Sequence, residues 1–506
     1  MKNHLRHTLG VLVVILFTAI PVFAKDAPCQ ATEVQLATEL PSGKRWMEHL
    51  YRDLLPFWDM PAAMGSPIGN FPSFRYNKGT IVNPQQLLRD EYATLLEDGS
   101  TWITNRLSRR YVRMMSRQTY LYGVAYHLTG DERWLQLAKA GVTFLLENLQ
   151  QQNGEFYSWI ENGQRQPENP NHRTSQDMAY ALIGPSFYYY LTRDEAVLPA
   201  ILKAKDYIFQ AYGNEQGHEL RWINSAFVDS PDTHSPQQIE LVSQLDQINA
   251  YMLLLTPVLP TKERQAWKND MLALANVIIK DFYSPEHNVF WGRIDQPEYQ
   301  QLGAHHVDFG HTIKSFWMLY LMGKTFSEPQ LTQFALENAP KVLEEAFLEE
   351  LGAWGEKKLE NGQIVKSRVW WIDAELSQMA ATLSLTNPAY IRFLVPTYQY
   401  WFTHFVDKQH GEVWHMIDGV TGKPRFPKAH LWKNGYHSFE HALVGYITSQ
   451  ALRQQPVELY FAFKQRPNEA EIRPYYFQGL IKKVETSDFN CLAELTRYRV
   501  TFSGIK

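Results

Sequence analysis

Two kinds of helical segment alternate along most of this chain. One kind carries ordinary charged surfaces, as in residues 132–149 and 261–283, whereas the other is apolar on nearly all sides, as in 175–191 and 309–324. A helix that is apolar all round has to be buried on every side. The alternation therefore predicts two concentric rings of six helices, with polar ends of the inner helices lining a cavity. A helical solenoid is the competing arrangement, but no repeat of about 34 to 40 residues is visible.

About twelve helices are predicted, and short turn sequences such as Thr129-Gly130-Asp131 separate them. Short links place consecutive helices side by side. The predicted helices span 46–58, 105–128, 132–149, 175–191, 195–212, 236–259, 261–283, 309–324, 329–348, 372–385, 388–406 and 436–453.

Strand-like sequences are few. Residues 219–223, 289–293 and 413–417 are short candidates in loops, and VELYFAF within 456–463 is the clearest. We therefore expect an all-α chain in which residues 25–455 form one helical barrel and 456–506 form a tail, with a strand, packed on it.

The first 24 residues have the pattern of a secretory signal peptide. Lys2 and Arg6 precede an apolar run from Leu9 to Ala24. Its 16 residues, interrupted by Pro21, are fewer than the about 20 that a membrane-spanning helix needs. Cleavage after Ala24 would leave no membrane segment, so a periplasmic or secreted location is expected.

Charge and motifs argue against several function classes. Without residues 1–24, the remaining 482 residues carry 47 basic and 53 acidic side chains, a net charge of −6, which does not favour nucleic-acid binding. No nucleotide-binding glycine loop, Gly-x-Ser-x-Gly or His-Glu-x-x-His motif is present. Aromatic residues make up 14%, which suits a sugar-binding cavity and equally a large core. The oligomeric state stays open.

The two cysteines, Cys29 and Cys491, lie near opposite ends of the chain. In an oxidising compartment an isolated pair is a candidate disulfide, and two unpaired thiols are the alternative. The N-terminal lead and the C-terminal tail should both lie outside the ring of helices, so we predict that the two cysteines are close together. A Cα separation well above about 7 Å would rule the bridge out.

Polar residues at the start of apolar helices are the candidates for chemistry. In HHVDFGHTIKSFWMLYLM, residues 305–322, His311 lies at or near a helix N-terminus. VWWIDAELSQM, with Trp371 and Glu375, and WKNGYHSFEHALVGY, with His437, repeat this arrangement. We interpret the three stretches as one site gathered from distant parts of the chain.

A metal site is an alternative for the first of these stretches. His305, His306, Asp308 and His311 lie within seven residues and could ligate zinc. Zinc ligands usually include a spaced pair, however, and capping of the helix by Asp308 is the simpler interpretation. We expect neither a metal nor another cofactor.

A second group of charges lies on the helix around residue 115. Arg113 and Arg117 share one helix face, and Gln118 is adjacent. Arginines among apolar residues either pair with acids or point at an oxygen-rich ligand, since buried charges need partners. Asp177 on the next apolar helix is the natural partner for one of them, with capping as its alternative role.

Five motifs in order carry a family resemblance. They are Arg117-Gln118 followed by YGVAYHLTGD, then SQDMAYAL, DFGHTIKSFW, VWWIDAE and KNGYHS. Together they resemble the inner-helix motifs of the N-acylglucosamine 2-epimerase family, which includes cellobiose 2-epimerases and mannose isomerases. The similarity extends over residues 71–450 and implies an (α/α)6 barrel, in agreement with the two predicted rings.

The resemblance also implies roles for individual residues. His311 and His437 match the family's acid and base histidines, and Trp371 and Glu375 match its sugar-contacting Trp-x-x-x-Glu segment. The implied reaction removes the C2 proton of an open-chain reducing sugar to give an enediolate, which is reprotonated at C2 (epimerisation) or at C1 (isomerisation). Either Arg75 or Arg117 would be the substrate-side arginine. The predicted substrate-binding residues are Arg75, Arg117, Gln118, Asp177, Asn249, Lys314, Trp371, Glu375 and Trp432.

This chain departs from the family pattern at three positions. Lys314 stands where a glutamate is common, and Leu253 and Thr256 stand where many members have a histidine and a glutamate. Lys314 is expected either to touch an anionic sugar or to pair with Glu375.

Two other functions stay open from the sequence. A glycoside hydrolase or lyase on the same kind of barrel would use Asp177, Asp246 or Glu375 as carboxylate acid and base. A carbohydrate-binding protein would keep the aromatic cavity without turnover. Only epimerisation needs a free aldehyde, and only a non-catalytic binder would bind unchanged after the loss of both histidines.

Overall fold

The fold is the predicted (α/α)6 barrel. The computed structural model describes residues 33–506 except 90, 98, 167–172, 216 and 224–237, so the predicted signal peptide lies outside the described residues. The inner helices are Val112–Thr129, Ser175–Thr192, 241–258, Phe309–Phe326, Trp370–Ser384 and Tyr436–Leu452. The outer helices are 43–58, Glu132–Asn148, Leu198–Tyr212, 261–282, Pro329–Ala346 and 388–405.

The inner ring closes on itself. Most neighbouring inner helices pack together, Asp246 of helix 241–258 pairs with Lys314 of helix Phe309–Phe326, and the last helix, Tyr436–Leu452, packs against the first, Val112–Thr129. Every residue of the inner helix Ser175–Thr192 is buried, whereas its outer neighbour Leu198–Tyr212 buries one face. Burial on all sides is therefore what selects the sequences that are apolar all round.

Several helix boundaries differ from the prediction. The first inner helix begins at Val112 instead of 105, because Arg110–Tyr111 pairs with the strand Trp159–Glu161. The inner helix predicted from 236 begins at Leu241 in the described residues, contains a π-helical stretch at Ile248–Met252, and ends in a 3-10 turn. That turn contains Pro257, which lacks the N–H that a regular helix needs.

Short elements occupy the connections. Of the predicted loop strands, 289–293 and 413–417 each contain a two-residue strand, and 219–223 forms isolated bridges. The short helices are Glu33–Glu39, Pro61–Met64, Pro84–Arg89, Ala93–Glu97, Thr101–Thr104, Pro297–Tyr299 and Glu469–Glu471. The short strands are Arg110–Tyr111, Trp159–Glu161, Gln164–Gln166, Tyr283–Ser284, Val289–Phe290, Phe347–Leu348, Ala353–Trp354, Lys357–Lys358, Ile364–Val365, Arg368–Val369, Met416–Ile417 and Pro424–Arg425. Within the described residues, no helix is both long and apolar enough to cross a membrane.

The C-terminal tail forms a three-stranded antiparallel sheet. Thr496–Ser503 lies between Val457–Phe463 and Leu480–Asp488. The tail contacts the C-terminal part of helix Val112–Thr129, where the Tyr126 hydroxyl donates to the Phe461 carbonyl at 2.7 Å. Cys491 is exposed on this tail. Its predicted partner, Cys29, lies outside the described residues, so the disulfide stays a prediction.

Two tyrosines of the tail enter the barrel itself. The Tyr475 hydroxyl donates to Glu440 Oε1 at 2.6 Å and accepts from the Tyr120 hydroxyl at 3.0 Å. The Tyr476 hydroxyl donates to the Asn249 carbonyl at 2.9 Å. Both tyrosines are buried. The tail thus fills the end of the barrel where the inner helices finish and bonds to polar groups within it.

We predict that Tyr475→Phe destabilises the protein by about 1 to 3 kcal/mol, because Glu440 Oε1 loses its donor in a buried place. Tyr498→Phe is the matched control, since the Tyr498 ring is also buried and its hydroxyl makes no hydrogen bond within the described residues. Urea unfolding of the three proteins measures both effects. Equal midpoints for the two variants would show that the tail only packs against the barrel.

Candidate active site

A cavity of about 1030 Å³ opens where the inner helices begin. Six of the predicted site residues line it, and they come from four inner helices and one loop. They are Arg117, His311, Lys314, Trp371, Trp432 and His437. A second cavity, of about 720 Å³, lies between residues 37–44, 388–391 and 450–455, and none of the predicted site residues lines it.

His311 is held by the residue that caps its helix. Asp308 Oδ1 accepts from the His311 backbone N–H at 2.8 Å, and Asp308 Oδ2 lies 2.7 Å from His311 Nδ1. The carboxylate can only accept, so Nδ1 carries the proton and Nε2 of the neutral ring is left as a free base. Burial lowers the pKa of His311 and outweighs the opposing influence of Asp308. The imidazole is therefore neutral at pH 7 and oriented by a carboxylate.

His437 lies in a different electrostatic environment. It is the second residue of helix Tyr436–Leu452 and is 6% exposed. Burial lowers its pKa well below the ordinary value, and the nearby cations Arg117 and Lys314 add to the effect. Its Nδ1 is buried and makes no hydrogen bond within the described residues, with Glu375 Oε1 3.5 Å away. His437 is thus also a neutral imidazole, with a carboxyl group behind it.

Trp371 lies between the two histidines. Its ring centroid is 4.7 Å from that of His311 and 6.1 Å from that of His437, so the two imidazole centroids are at most 10.8 Å apart. This separation is below the about 12 Å beyond which one sugar carbon could not lie within attack distance, about 3 to 3.5 Å, of both side chains. The structure therefore brings both histidines to one substrate-sized space.

Two buried carboxyl groups lie behind His437. Glu375 is fully buried and neither of its oxygens has a hydrogen-bond partner in the described residues. Burial raises the pKa of Glu375 well above its ordinary range, and it also raises the pKa of Glu440. Glu440 Oε2 lies 4.0 Å from His437 Nδ1. The raised pKa of Glu375 favours its protonated form next to His437.

Lys314 pairs with Asp246. The prediction that it would pair with Glu375 is wrong. Its Nζ lies 2.8 Å from Asp246 Oδ1, and both side chains are almost completely buried. Asp246 also accepts from Gln176 at 2.8 Å and from the Tyr180 hydroxyl at 3.0 Å. The lysine charge is thus balanced by a fully hydrogen-bonded carboxylate in the cavity wall.

The two arginines of the first inner helix have different surroundings. Arg113 pairs with Asp177, as predicted for one of the pair. Arg117 has no carboxylate within 4 Å in the described residues; its guanidinium lies 3.8 Å from the Tyr180 ring centroid and donates to the Trp432 carbonyl at 3.3 Å. Its Nε is buried without a partner. Arg117 is therefore the arginine available to an oxygen-rich ligand.

Five predicted substrate contacts lie away from the cavity lining: Glu375, which lies behind His437, and four residues with partners elsewhere. Arg75 is fully buried between the Phe57 and Trp58 rings and donates to two backbone carbonyls. The Gln118 amide donates to the Ala63 carbonyl and the Tyr122 hydroxyl. Asp177 and Asn249 are the other two. The Asp177 carboxylate accepts from the Thr174 hydroxyl and from Arg113, and the Asn249 amide donates to the Tyr436 hydroxyl. Each of these four polar groups satisfies another part of the protein.

The sequence of the chain identifies the family to which it belongs. The model of the N-acylglucosamine 2-epimerase (GlcNAc 2-epimerase) family matches residues 92–443, well over half of the chain. The chain belongs to this family. Its members are carbohydrate epimerases and isomerases, which confirms the enzyme class predicted from the five motifs.

Relatives of this family member are distant in sequence. The cellobiose 2-epimerase of Bacteroides fragilis is 21% identical over 345 residues, which cover 64% of this chain and 84% of the relative. Among solved structures, cellobiose 2-epimerase from Bacillus thermoamylovorans has 16% identity and a TM-score of 0.63, covering 80% of this chain and 98% of its own. A D-mannose isomerase has 14% identity and a TM-score of 0.64, covering 81% and 98%. These likenesses support the fold.

The predicted zinc alternative has a different explanation in this family member. Asp308 caps the helix and holds His311, as the simpler interpretation expected. His305 and His306 stack on one another, with ring centroids 3.7 Å apart. Among the described residues, the group with ligand atoms close enough to hold a metal is Glu375, His437 and Glu440, whose atoms lie within 4.8 Å of one another.

Some residues that line the cavity were not predicted from the sequence. Tyr180, Glu240 and His415 all contribute to its wall. Tyr180 lies one helical turn after Asp177 in SQDMAYAL, so the family motif itself carried a signal for it. His415 lies in a loop with no periodic pattern, and nothing in the sequence singles it out.

Proposed function

We propose that this protein is a sugar 2-epimerase or aldose–ketose isomerase that acts on a free reducing sugar, with His311 and His437 as the proton-transferring groups. The supporting observation is that two neutral imidazoles from different inner helices, buried His437 and partly buried His311, line one cavity and contact the same tryptophan. The signal-peptide pattern of residues 1–24 supports an exported protein.

The two histidines are suited to different halves of the reaction. His311 presents a bare Nε2, and Asp308 stabilises the imidazolium that forms when it removes the C2 proton. On the opposite side, protonated Glu375 lies 3.5 Å from His437 Nδ1, and such contacts often tighten in the complex. Glu375 would pass a proton to Nδ1 as His437 releases the Nε2 proton to the enediolate. Exchange with solvent then restores both groups.

Arg117 is the residue placed to stabilise the enediolate. It lines the cavity with no carboxylate within 4 Å among the described residues, whereas Lys314 is balanced by Asp246. Lys357 also lines the cavity without an ion pair in the described residues, but it donates to the Gly303 carbonyl at 3.2 Å. A guanidinium aimed at a developing oxyanion in a buried site contributes electrostatic stabilisation.

A hydrolase would need two available carboxyl groups facing the substrate. Asp177 pairs with Arg113, Asp246 pairs with Lys314, and Glu375 is fully buried behind His437. These engagements favour proton transfer by imidazole. The test is to incubate the enzyme with free aldoses, such as D-mannose and cellobiose, and with their methyl glycosides, which have no free aldehyde. Conversion of the free sugars alone supports an epimerase, whereas cleavage of the glycosides would contradict it.

The pH dependence should reflect the lowered histidine pKa values. His311 acts as a base, and its pKa lies below the ordinary value of about 6.5. We therefore expect kcat/KM to stay constant at neutral pH and to fall only when the pH drops below about 6.5. Asp308→Asn removes a group that raises the pKa of His311. The acid limb of that variant should shift to lower pH, together with a lower kcat. An unshifted limb would mean that another group controls it.

A further inference from the structure

His415 is a cavity residue that the proposed proton transfer does not use. It lies in the loop before the strand Met416–Ile417, and its backbone carbonyl accepts from the Trp370 N–H at 3.0 Å. Its ring centroid is 4.7 Å from that of Trp370 and 5.0 Å from that of Phe426. The backbone and two aromatic rings thus fix the side chain in the cavity wall.

A chain of hydrogen bonds determines which nitrogen of His415 carries the proton. The Trp432 backbone N–H donates to His430 Nδ1 at 3.2 Å. A backbone amide can only donate, so His430 Nδ1 is unprotonated and its Nε2 carries the hydrogen. His430 Nε2 lies 2.8 Å from His415 Nδ1. His415 Nδ1 must accept this bond, and the hydrogen of neutral His415 is therefore on Nε2.

Both imidazoles remain neutral at physiological pH. Burial lowers the pKa of His415 to about 3 and that of His430 well below its ordinary value. The Lys433 ammonium adds to both shifts. Because neither ring gains a second proton, the order of donors and acceptors in the chain stays fixed over the working pH range.

We infer that His415 Nε2–H is a fixed hydrogen-bond donor for the sugar and that His430 is the residue that positions it. Nδ1 of His415 is occupied by His430, and Nε2 makes no hydrogen bond within the described residues. This inference rests on the proposed function for the identity of the ligand as a sugar. A fixed donor selects a hydroxyl or ring oxygen as acceptor and rejects a protonated amino group at the same place.

The location indicates which part of the ligand His415 contacts. The Trp370 ring lies 4.7 Å from His415 and 6.0 Å from His437, so the two imidazole centroids are at most 10.7 Å apart. His415 is therefore within reach of a sugar bound at His437, at one of its other hydroxyl groups or at a second sugar unit, and Trp370 contacts both histidines. It acts on selection of the substrate and not on the chemical step.

The tautomer is tested without any sugar. In protein labelled with 15N-histidine, long-range 1H–15N correlations should show His415 with the hydrogen on Nε2 at every pH from about 6 to 9. In His430→Phe, which keeps a ring but provides no donor, His415 should become a mixture of tautomers. A charged His415, or one with the hydrogen on Nδ1 in the unaltered protein, would overturn the inference whatever the enzyme catalyses.

Sugar binding tests the contact. His415→Phe should raise KM or Kd for cellobiose or D-mannose about 3- to 10-fold, the value of one neutral hydrogen bond, with kcat changed less than twofold. His415→Gln keeps a donor near the Nε2 position and should recover most of the loss. His404→Phe is the control, because His404 is exposed and stacks on Tyr400 away from the cavity.

The outcomes separate this inference from the proposed function. Binding that weakens in His415→Phe and recovers in His415→Gln supports the contact even if no sugar is converted. Equal affinities of the unaltered protein, His415→Phe and His415→Gln for both sugars would refute the contact while leaving epimerisation intact. A loss of kcat with unchanged KM would also refute it, because His415 would then act on the chemical step.

Discussion

Replacement of either His311 or His437 by asparagine should lower turnover at least about 100-fold, the usual contribution of a positioned acid or base. Asparagine keeps a hydrogen-bonding side chain of similar size and loses the nitrogen that accepts and releases a proton. Sugar binding should weaken much less, since Arg117 and the cavity tryptophans are unchanged. Single-turnover rates and Kd values for each variant separate the two effects.

The two lesions need not be equal. His311 has Asp308 to stabilise its imidazolium, whereas His437 works beside Glu375 and two cations. His404→Asn provides a control on the surface. If His437 only packs beside Trp370, Trp371 and Tyr436, its replacement would lower stability and leave the activity of each folded molecule intact. Unchanged turnover in folded His437→Asn would remove it from the mechanism.

Lys314→Met should destabilise the fold by about 3 to 5 kcal/mol, because it leaves the Asp246 carboxylate buried and without its counter-charge. Asp246 is 1% exposed, and its remaining partners Gln176 and Tyr180 are neutral donors. In the unaltered protein the Lys314 charge lowers the pKa of Asp246 against the effect of burial. Unfolding in urea at pH 7 measures the loss.

Two further variants separate this effect from the loss of the lysine stem. Lys314→Met combined with Asp246→Asn removes both charges and should recover much of the stability, because a neutral amide costs less to bury. Lys268→Met breaks the partly exposed pair with Glu328 and should cost no more than about 1 kcal/mol. If the double variant were no more stable than Lys314→Met alone, charge pairing would not explain the role of Lys314.

The barrel could be predicted from the sequence because burial leaves a direct mark on the inner helices. Ser175–Thr192 is apolar on all sides, and no arrangement other than an enclosed helix tolerates that surface. Polar residues at the helix starts, such as His311 and His437, could then be assigned to one cavity. The inner helices of this ring begin at the end of the barrel where the cavity opens, and both residues lie there.

The substrate contacts were harder to predict because buried polar residues have more than one use. Arg75 and Gln118 look like ligand-binding groups in sequence, yet they donate to the backbone carbonyls of Phe57 and Ala63. The same applies to Lys314, whose partner Asp246 is 68 residues away. Only three-dimensional contacts distinguish a group that binds substrate from one that satisfies the fold.

Two parts of the site left no pattern in the sequence. His415 and His430 lie in loops, where no periodicity relates a residue to a cavity, and their tautomers depend on a backbone N–H of Trp432. Tyr475 belongs to the tail, which lies beyond the family match at 92–443, yet it bonds to Glu440 behind His437.

Proton exchange at C2 tests the central claim most directly. The protein is incubated in D2O with D-mannose or cellobiose, and NMR follows the C2 hydrogen of substrate and product. If His311 and His437 transfer protons as proposed, the product should carry deuterium at C2 after epimerisation or at C1 after isomerisation, and neither asparagine variant should form it at a comparable rate. Product that retains the original hydrogen at C2 without solvent deuterium, or conversion that proceeds equally in both variants, would contradict the account.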